Sequence, residues 1–452
     1  MAPPHTLHLT QHVQPLFDAF HQAGFQLFLV GGSVRDALMG KAAGFDYDCA
    51  TDALPADTER LLRKLRLTVY TVGARFGTIA AVWPTPDDPK NIVEITTFRH
   101  AEAYEPDSRK PIVTFGATLD GDLGRRDLSI NAMAVDQHGR LVDPFNGLNA
   151  IHNRVLEVPG GGLENTVSIL TDDPLRILRV ARFAARLGFA PTADLTRAAT
   201  TTAARLQSIS HERWKAELDK TLDCHHVDHA MRWLLQTGAL AQLFPALGAL
   251  TLADPSFAWL SHALNTIPAS QRSARWAALA CADFFCSHPD TSPDLVLDAL
   301  RATAPTLVQN LAERFRLSRD EATAMERMLL LAPLNGFARA WSDADIRHHW
   351  DQSGTDTAGR LWLASSLLTD PDHVRTCHVN RERAIELAAR VDLRPHLPKG
   401  LGLHIQRAFD YRGPGLGRAM QALHVAALDG GLPLSPSTDE CLAWLRTNPL
   451  HD

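Results

Sequence analysis

The chain of 452 residues changes character near residue 150, and this change constrains its fold more than any other feature. Before that point, β-rich runs at residues 26–30, 78–83 and 91–98 alternate with short helical patterns, and glycines and prolines punctuate them. From about residue 172 onward, Ala, Leu and Arg recur at helical spacing almost without interruption. The pattern predicts an α+β protein in which a mixed sheet with helices precedes an all-helical remainder.

Length and composition set the broad class of the protein. A chain of this length exceeds what one core usually organises, so we expect two to four structural units. The hydrophobic content of 45% and the charged content of 21% are ordinary for a globular protein. The net charge of −6 does not indicate nucleic-acid binding by the whole surface, although a local basic face can exist on an acidic chain.

The six cysteines are scattered and form no CxxC pair, which argues against a structural zinc site. No basic start followed by an apolar run is present at the amino terminus, and no run reaches the length of a membrane span. We therefore expect a cytoplasmic protein with free thiols and no membrane association.

A glycine loop follows the first apolar strand pattern. Residues 29–53 read LVGGSVRDALMGKAAGFDYDCATDA, so a strand runs into Gly31, Gly32 and Ser33 before a helix that we expect to begin at about Val34. Backbone N–H groups at a helix start can cradle phosphate oxygens where glycines allow close approach. Taken alone, a Gly-Gly pair before a helix is more often a tight turn.

Two carboxylates stand just after this loop. Asp46 and Asp48 are separated only by Tyr47, and on a strand such residues project from the same face. Hard divalent cations such as Mg²⁺ bind carboxylates and bridge them to substrate phosphates. The pair therefore predicts a site for two-metal phosphoryl transfer. An isolated pair of this kind is usually a solvated turn or a helix cap, and it is the preceding glycine loop that favours the metal site.

Further charged residues fit the same chemistry. Glu94 is a lone acid among apolar strand residues, which is costly unless it is paired. It is a candidate third carboxylate, and an outward-facing position on an edge strand is an equally good interpretation. Arg125 and Arg126 offer guanidinium groups for a triphosphate, and Asp127 offers a carboxylate for ribose hydroxyls. The alternative for these three residues is a surface charge cluster.

A later helical segment carries a pair of side chains suited to reading a base. Asp172 and Asp173 stand before a predicted helix, and we interpret Asp172 as its cap. Asp173 and Arg176 are three residues apart and share one helical face. A carboxylate accepts from an exocyclic amine, and an arginine donates to a ring nitrogen or carbonyl oxygen. Cytosine and adenine both present an amine beside an acceptor, so the pair is suited to select C and A.

The same helix carries a row of arginines. Arg176, Arg179, Arg182 and Arg186 fall within an arc of about 120° at 100° per residue. This basic face is a candidate track for RNA phosphates. An ordinary solvated face is the competing interpretation.

Taken together, these motifs resemble the superfamily of class II tRNA nucleotidyltransferases and bacterial poly(A) polymerases. The resemblance covers about residues 27–245 and rests on LVGGSVRDALMG, DYD, VEITTFR, YEPDSRKPIVTF, RRDLSINAMAVD, VDPFNGL, DDPLRILRVARFAARLGF and SHERWKAEL in that order. It implies a polymerase-beta type nucleotidyltransferase head over residues 1–150. A helical neck over 151–245 would then bind the nucleotide base and RNA, and a helical body and tail over 246–452 would bind tRNA.

The resemblance also implies roles for individual residues. Asp46, Asp48 and Glu94 match the catalytic carboxylates, and Asp46 and Asp48 match the metal ligands for Mg²⁺. Whether Glu94 or Asp127 is the third metal-site carboxylate stays open. The resemblance implies nucleotide binding by Gly31, Gly32, Ser33, Arg35, Arg125, Arg126, Asp127, Asn131, Asp173, Arg176, Arg179 and Arg182. The chain departs from the common pattern at Asp172, where glutamate is frequent, and at Ser129, where threonine is frequent.

The activity that the resemblance implies is template-independent addition of CCA, or its terminal A, to the 3′ end of tRNA from CTP and ATP. Ala74 stands where poly(A) polymerases usually carry a second basic residue, which favours a tRNA enzyme. The stretch containing Tyr104, Asp107 and Arg109 is full length by comparison with the superfamily pattern, which favours complete CCA or A addition over CC addition. A-only, CC-only and poly(A) activities, and an RNA-binding module with an inactive head, remain the alternatives.

Two absences are also expected. Some relatives carry a histidine-aspartate phosphohydrolase domain, but the sequence around Cys281 and Asp283 lacks the corresponding metal ligands. No feature of the sequence indicates an obligate protein partner.

Overall fold

The structure is a computed structural model that describes residues 13–41, 47–85, 88, 90–104, 111–116, 118–288, 293–329, 337, 339–368 and 370–450. The chain divides into two compact units. The first unit comprises Met1–Ser210 and His229–Gln242, and the second comprises His211–Asp228 and Leu243–Asp452.

The first unit is built on a mixed sheet. The strands along the chain are β1 (Leu27–Val30), β2 (Tyr47–Thr51), β3 (Val69–Tyr70), β4 (Thr78–Val82), β5 (Ile92–Thr97), β6 (Arg99–Tyr104), β7 (Pro111–Phe115), β8 (Ala134–Val135), β9 (Leu141–Val142), β10 (Val155–Leu156) and β11 (Ala190–Pro191). Seven of them form one sheet in the order β3-β4-β5-β2-β1-β8-β9, while β6 pairs with β7 and β10 with β11. Within the large sheet β2 and β5 are parallel, and the other pairings are antiparallel.

The α-helices surround this sheet in the first unit and make up the second unit. In chain order they are α1 (Gln14–Gln22), α2 (Gly32–Leu38), α3 (Pro55–Lys64), α4 (Leu119–Gly124), α5 (Gly147–Asn153), α6 (Leu163–Asp172), α7 (Arg176–Leu187), α8 (Ala193–Thr202), α9 (His211–Leu222), α10 (Val227–Gln236), α11 (Ala239–Leu243), α12 (Pro255–Thr266), α13 (Arg272–Cys286), α14 (Pro293–Phe315), α15 (Arg319–Leu329), α16 (Asp343–Ser353), α17 (Thr357–Leu367), α18 (Pro371–Arg390), α19 (Leu401–Phe409), α20 (Pro414–Asp429) and α21 (Thr438–Thr447). The prediction of a mixed sheet followed by a helical remainder is confirmed.

Alternation along β5 separates a packed face from an open one. In β5, Val93 and Ile95 are buried whereas Glu94 between them is exposed. Successive strand residues point to opposite faces, so this sequence can bury one face and leave the other for polar side chains. A cluster that includes Val30, Ala50 and Phe98 packs the adjoining region of the sheet.

In the second unit, Arg275 joins several helix ends. Its guanidinium is 2% exposed and donates to the carbonyl oxygens of Leu222, Cys224 (2.6 Å) and Ile267 (2.8 Å). These carbonyls lie at or beyond the ends of α9 and α12, where the last C=O groups of a helix have no partner within it. Among the helices of the described residues, none is long and apolar enough to cross a membrane.

The short 3₁₀ turn at Ser129–Asn131 is packed tightly against the start of α5. A Cβ added at Gly147 would lie 2.3 Å from the carbonyl oxygen of Ser129 and 2.8 Å from Cγ of Met133. The backbone of this turn therefore depends on a residue without a side chain at position 147.

We expect Gly147→Ala to lower the free energy of unfolding by about 1–3 kcal/mol, because the added methyl group overpacks a backbone contact. Chemical denaturation measures this change. The matched control is Gly417→Ala in α20, where a Cβ would meet nothing within 4 Å. A loss in the control as large as that in Gly147→Ala would contradict the packing explanation.

Candidate active site

The glycine loop lies directly against two charged side chains. Gly31 links β1 to α2 with a φ of 75°, a conformation that residues with side chains rarely adopt. A Cβ built on Gly31 would lie 3.3 Å from Nη1 of Arg126 and 3.7 Å from Oδ2 of Asp48. The loop, a guanidinium and a carboxylate thus meet at one place, where the first N–H groups of α2 have no partner within the helix.

The pairing of β2 with β5 places two acidic residues side by side. Asp48 is the Cα partner of Glu94 in these parallel strands, so both side chains project from the same face of the sheet. Asp48 is half-buried and Glu94 is exposed. Because β5 lies between β4 and β2, the prediction of an edge strand for Glu94 is wrong, although its side chain is exposed as that interpretation expected.

The predicted metal pair is described only in part, because Asp46 lies outside the described residues. Within the residues that the structure describes, no group of three or more His, Cys, Asp or Glu side chains is arranged to hold a metal ion. The donor set that is described, Asp48 beside Glu94, consists of carboxylate oxygens, which hard divalent cations prefer. The residues present therefore fit such an ion, with Asp46 as a further predicted ligand.

Asp122, which sequence reasoning missed, organises the two arginines that follow it. Its carboxylate is buried, and Oδ1 accepts from Nε (3.1 Å) and Nη2 (2.9 Å) of Arg125 while Oδ2 accepts from Nη2 of Arg126 (3.2 Å). Burial opposes ionisation, but attraction to Arg126 and Arg125 outweighs it and holds the pKa of Asp122 below its usual value. The signal was available, since an acid three and four residues before two arginines has helical pair spacing.

Asp127 is enclosed by hydrogen-bond donors. It is 7% exposed, and Oδ1 accepts from the Leu128 amide (2.9 Å) and from Nδ2 of Asn131 (3.0 Å). Oδ2 accepts from Nε (2.9 Å) and Nη2 (2.6 Å) of Arg179. Burial raises the pKa of Asp127, but attraction to Arg179 and the hydrogen bonds outweigh it, so the pKa lies below its usual value.

Arg35 lies in the interior, which differs from the expected contact with a triphosphate. It is 2% exposed, Nη1 donates to Oδ1 of Asn131 (2.6 Å), and Nε and Nη2 bind Oδ1 of Asp36 at 2.9 and 2.8 Å. The guanidinium also lies 5.3 Å from the ring centroid of Phe183 in α7. Arg35 therefore joins α2 to the Ser129–Asn131 turn and to α7, and its side chain is enclosed by these contacts.

The segment that carries the predicted base-reading pair is a break between two helices. Asp172 is the last residue of α6, and α7 begins only at Arg176, so the prediction that Asp172 caps the second helix is wrong. Oδ1 of Asp173 accepts from the Leu175 amide at 3.3 Å. Nη2 of Arg176 donates to the carbonyl oxygen of Arg125 at 2.7 Å, which ties the start of α7 to residues 125–127, the arginine loop.

The basic face of α7 is largely engaged within the first unit, which differs from the expected track for RNA phosphates. Arg176 binds a backbone carbonyl, Arg179 binds Asp127, and Arg186 binds Asp36 at 3.1 Å. The guanidinium of Arg182 lies 4.8 Å from the ring centroid of Phe183. Two of the four arginines on this face are thus paired with carboxylates, Arg179 with Asp127 and Arg186 with Asp36 of α2.

Two protein families match this chain, one in its sheet-containing part and one in a later helical part. Residues 27–157 match the family described as the Poly A polymerase head domain, and residues 188–250 match the probable RNA and SrmB-binding site of polymerase A. The chain is 37% identical to a CCA-adding enzyme of Geobacillus kaustophilus over 57% of this chain and 59% of the relative. It is 29% identical to a CCA-adding enzyme of Streptococcus gordonii over 94% of each chain.

A solved structure shares the fold. The Bacillus stearothermophilus CCA-adding enzyme, solved in complex with CTP, has a TM-score of 0.69 and 24% identity to this chain, with 98% of each chain covered. The matches to the first three curated relatives span only 52–62% of those proteins' lengths. Together these findings confirm the resemblance seen in the motifs: residues 27–157 match the Poly A polymerase head family, and the related structure shares the fold of this chain. The relatives named here are CCA-adding enzymes.

We expect Gly31→Ala to weaken binding of a nucleoside triphosphate, because the methyl group would occupy space between the loop, Arg126 and Asp48. The matched control is Gly24→Ala, which has a similar φ of 83° but open space around the position. Both variants carry backbone strain of about 1–2 kcal/mol. Titration calorimetry with ATP should show weaker binding only for Gly31→Ala, and equal binding by both variants would contradict a phosphate cradle at this loop.

Proposed function

We propose that the protein is a template-independent tRNA nucleotidyltransferase that adds CCA, or its terminal A, to the 3′ end of tRNA. CTP and ATP would be the nucleotide substrates, and pyrophosphate would be released. The observation that carries this proposal is the meeting of Asp48 and Arg126 at the Gly31 loop, with Glu94 beside Asp48 on the neighbouring strand. The names of the relatives, and the CTP in the related structure, support the choice of substrates.

The proposed reaction is displacement at the α-phosphorus of the nucleotide. The 3′ hydroxyl of the RNA loses its proton to solvent and its oxygen forms a bond to this phosphorus. The bond from phosphorus to the bridging oxygen breaks, and pyrophosphate leaves with that electron pair. Asp48, with Asp46 and Glu94, would hold Mg²⁺, which when bound favours the ionised hydroxyl and the leaving group. Arg126 and the N–H groups of Gly32 and Ser33 would bind phosphate oxygens through charge and direct donation.

The proposed choice of base rests on Asp173 and Arg176. Arg176 donates to the carbonyl oxygen of Arg125. The break between α6 and α7 therefore lies beside the arginine loop, whose Arg126 is proposed to bind phosphates. A carboxylate and a guanidinium at that place match the amine and acceptor that cytosine and adenine share. Guanine and uracil present the reverse order of donor and acceptor, so they would not match these two groups.

The remaining assignments are part of the same proposal. Residues 151–245 would bind the base and RNA, and residues 246–452 would bind tRNA without a phosphohydrolase activity. A cytoplasmic location is consistent with six cysteines that form no disulfide. The alternatives differ in product: addition of A alone, addition of CC alone, long A tails on generic RNA, or RNA binding with no transfer.

The direct test is incubation of the protein with tRNA lacking CCA and with each labelled nucleotide in turn. We expect C and A to be incorporated by the unaltered protein. Incorporation of A alone would replace the complete-CCA proposal with an A-adding enzyme, and long A tails on unrelated RNA would indicate a poly(A) polymerase. No incorporation of any nucleotide would favour the RNA-binding module.

We expect Asp48→Asn to reduce nucleotide incorporation by more than about 100-fold while tRNA binding persists. Mutation of a residue that only hydrogen-bonds to a metal ligand already lowers metal affinity or activity by about 10–100-fold, and the loss of a ligand itself should cost more. The matched control is Asp57→Asn, which removes a carboxylate from the first turn of α3 and should keep full activity. Retained transfer by Asp48→Asn would exclude this carboxylate from the site.

We expect Asp173→Ala to relax the choice of base and to leave triphosphate binding largely intact. The loss of one base-reading contact is worth roughly 1–3 kcal/mol of discrimination. Competition between CTP and UTP in single-nucleotide addition measures this effect. An unchanged preference for C and A over U and G would refute the assignment.

A further inference from the structure

We propose that Tyr70 and Val72, at the edge of the large sheet, form a platform on which the 3′-terminal base of the RNA acceptor stacks. The proposal rests on the proposed function and adds to it a contact for the attacking end of the RNA. Tyr70 is 49% exposed and Val72 is 91% exposed, which is unusual for large hydrophobic side chains that touch no partner.

Strand pairing places Tyr70 in line with the two carboxylates. Tyr70 of β3 is the Cα partner of Ala80 of β4, which in turn pairs with Glu94 of β5. Glu94 pairs with Asp48 of β2. Side chains of paired residues project from the same face, so these residues form one row across the open face, the face that carries Asp48. At a strand spacing of about 4.8 Å, Tyr70 lies about 10 Å from Glu94 along the row.

The geometry of the proposed displacement determines the side from which the RNA arrives. The attacking and leaving oxygens lie roughly in line, on opposite sides of the α-phosphorus. Gly31 and Arg126, which are proposed to bind the triphosphate, lie beside Asp48 at the end of β1, on one side of β2. The RNA hydroxyl therefore approaches from the other side, where β5, β4 and β3 follow in that order.

The surface between the carboxylates and Tyr70 carries small side chains. Ala80 occupies the position between Glu94 and Tyr70 in the row and offers only a methyl group. Beside it, Thr78 and Thr96 are paired on the same face, and their hydroxyl oxygens lie 3.0 Å apart. A nucleotide can therefore lie across β4, close to the sheet, with its 3′ oxygen towards the carboxylates and its base towards Tyr70.

Two arginines supply positive charge beside this row. Nη2 of Arg99 donates to Oγ1 of Thr78 at 3.1 Å, which places the guanidinium beside the first residue of β4 on the open face. Arg75 is exposed in the connection between β3 and β4, and its guanidinium lies 4.5 Å from the ring centroid of Phe76. An exposed ring accompanied by positive charge is typical of surfaces that bind single-stranded nucleic acid, because the ring stacks on bases and the charge attracts phosphates. This combination favours RNA over an apolar protein segment as the occupant.

The first experiment measures single-nucleotide addition to tRNA lacking CCA by Tyr70→Ala, with each substrate varied in turn. The KM for the tRNA should rise roughly 5–100-fold, the range expected for the loss of one base–aromatic stack, while the KM for CTP should stay unchanged. Tyr70→Phe retains the ring and should retain the tRNA KM of the unaltered protein. Val72→Ala should raise the tRNA KM by a smaller factor, because it removes apolar area and leaves the ring in place.

Val69→Ala is the matched control. Val69 precedes Tyr70 in the same strand, but its Cα partner Ala81 is buried, so its side chain belongs to the packed face of the sheet. The variant measures the effect of loosening β3 itself, and both KM values should be unchanged. A rise in the tRNA KM as large as that in Tyr70→Ala would attribute the effect to the strand and would overturn the proposal.

The second experiment detects the stack without any nucleotide transfer. A tRNA lacking CCA that carries 2-aminopurine as its 3′-terminal base reports stacking through the quenching of its fluorescence. We expect quenching on binding to the unaltered protein and to Tyr70→Phe, and much weaker quenching on binding to Tyr70→Ala at saturating protein.

An unchanged tRNA KM in Tyr70→Ala would overturn the proposal, and so would full quenching of 2-aminopurine by this variant. A rise confined to the KM for CTP would also overturn it, because the ring would then contact the incoming nucleotide. Failure of the proposed function is a separate result: the unaltered protein would incorporate no nucleotide, whereas the quenching of the terminal base would still be measured.

Discussion

The parallel register of β2 with β5 is the constraint on which the site depends. It sets Asp48 beside Glu94 on the open face of the sheet, while the residues on either side of Glu94 are buried beneath. A shift of one residue in this register would turn one carboxylate into the core and separate the two. The backbone of Gly31 also lies close to Asp48 on this face, and Arg126 lies beside it.

Two buried carboxylates organise the positive charge around this face. Asp122 holds both arginines of the loop that follows α4, and Asp127 holds Arg179 of α7. Each carboxylate remains ionised because its arginine partners outweigh the cost of burial, as the lowered pKa values indicate. Arginines that are fixed in this way are oriented before any ligand arrives, which reduces the entropy lost on binding.

The sequence was sufficient for features that depend on local pattern and spacing. The mixed sheet and the helical remainder followed from periodicity, and the order of the motifs indicated the resemblance to the Poly A polymerase head family. The position of Glu94 on a central strand did not follow, because strand order depends on contacts between residues distant in the chain. The positions of Asp172 and Arg35 also differ from expectation. Asp172 ends α6 at a short break between two helices. Arg35 is buried because it binds partners distant in the chain, which a sequence pattern does not show.

We propose that the carboxylate face beside the Gly31 loop holds a divalent cation together with the phosphates of a nucleotide. Crystals of the unaltered protein grown with Mn²⁺ and a non-hydrolysable CTP analogue test this directly through the anomalous signal of manganese. The account predicts a manganese peak in contact with a carboxylate oxygen of Asp48, with the triphosphate against Arg126. A peak at another face of the molecule, or a triphosphate bound without contact to this loop, would contradict it.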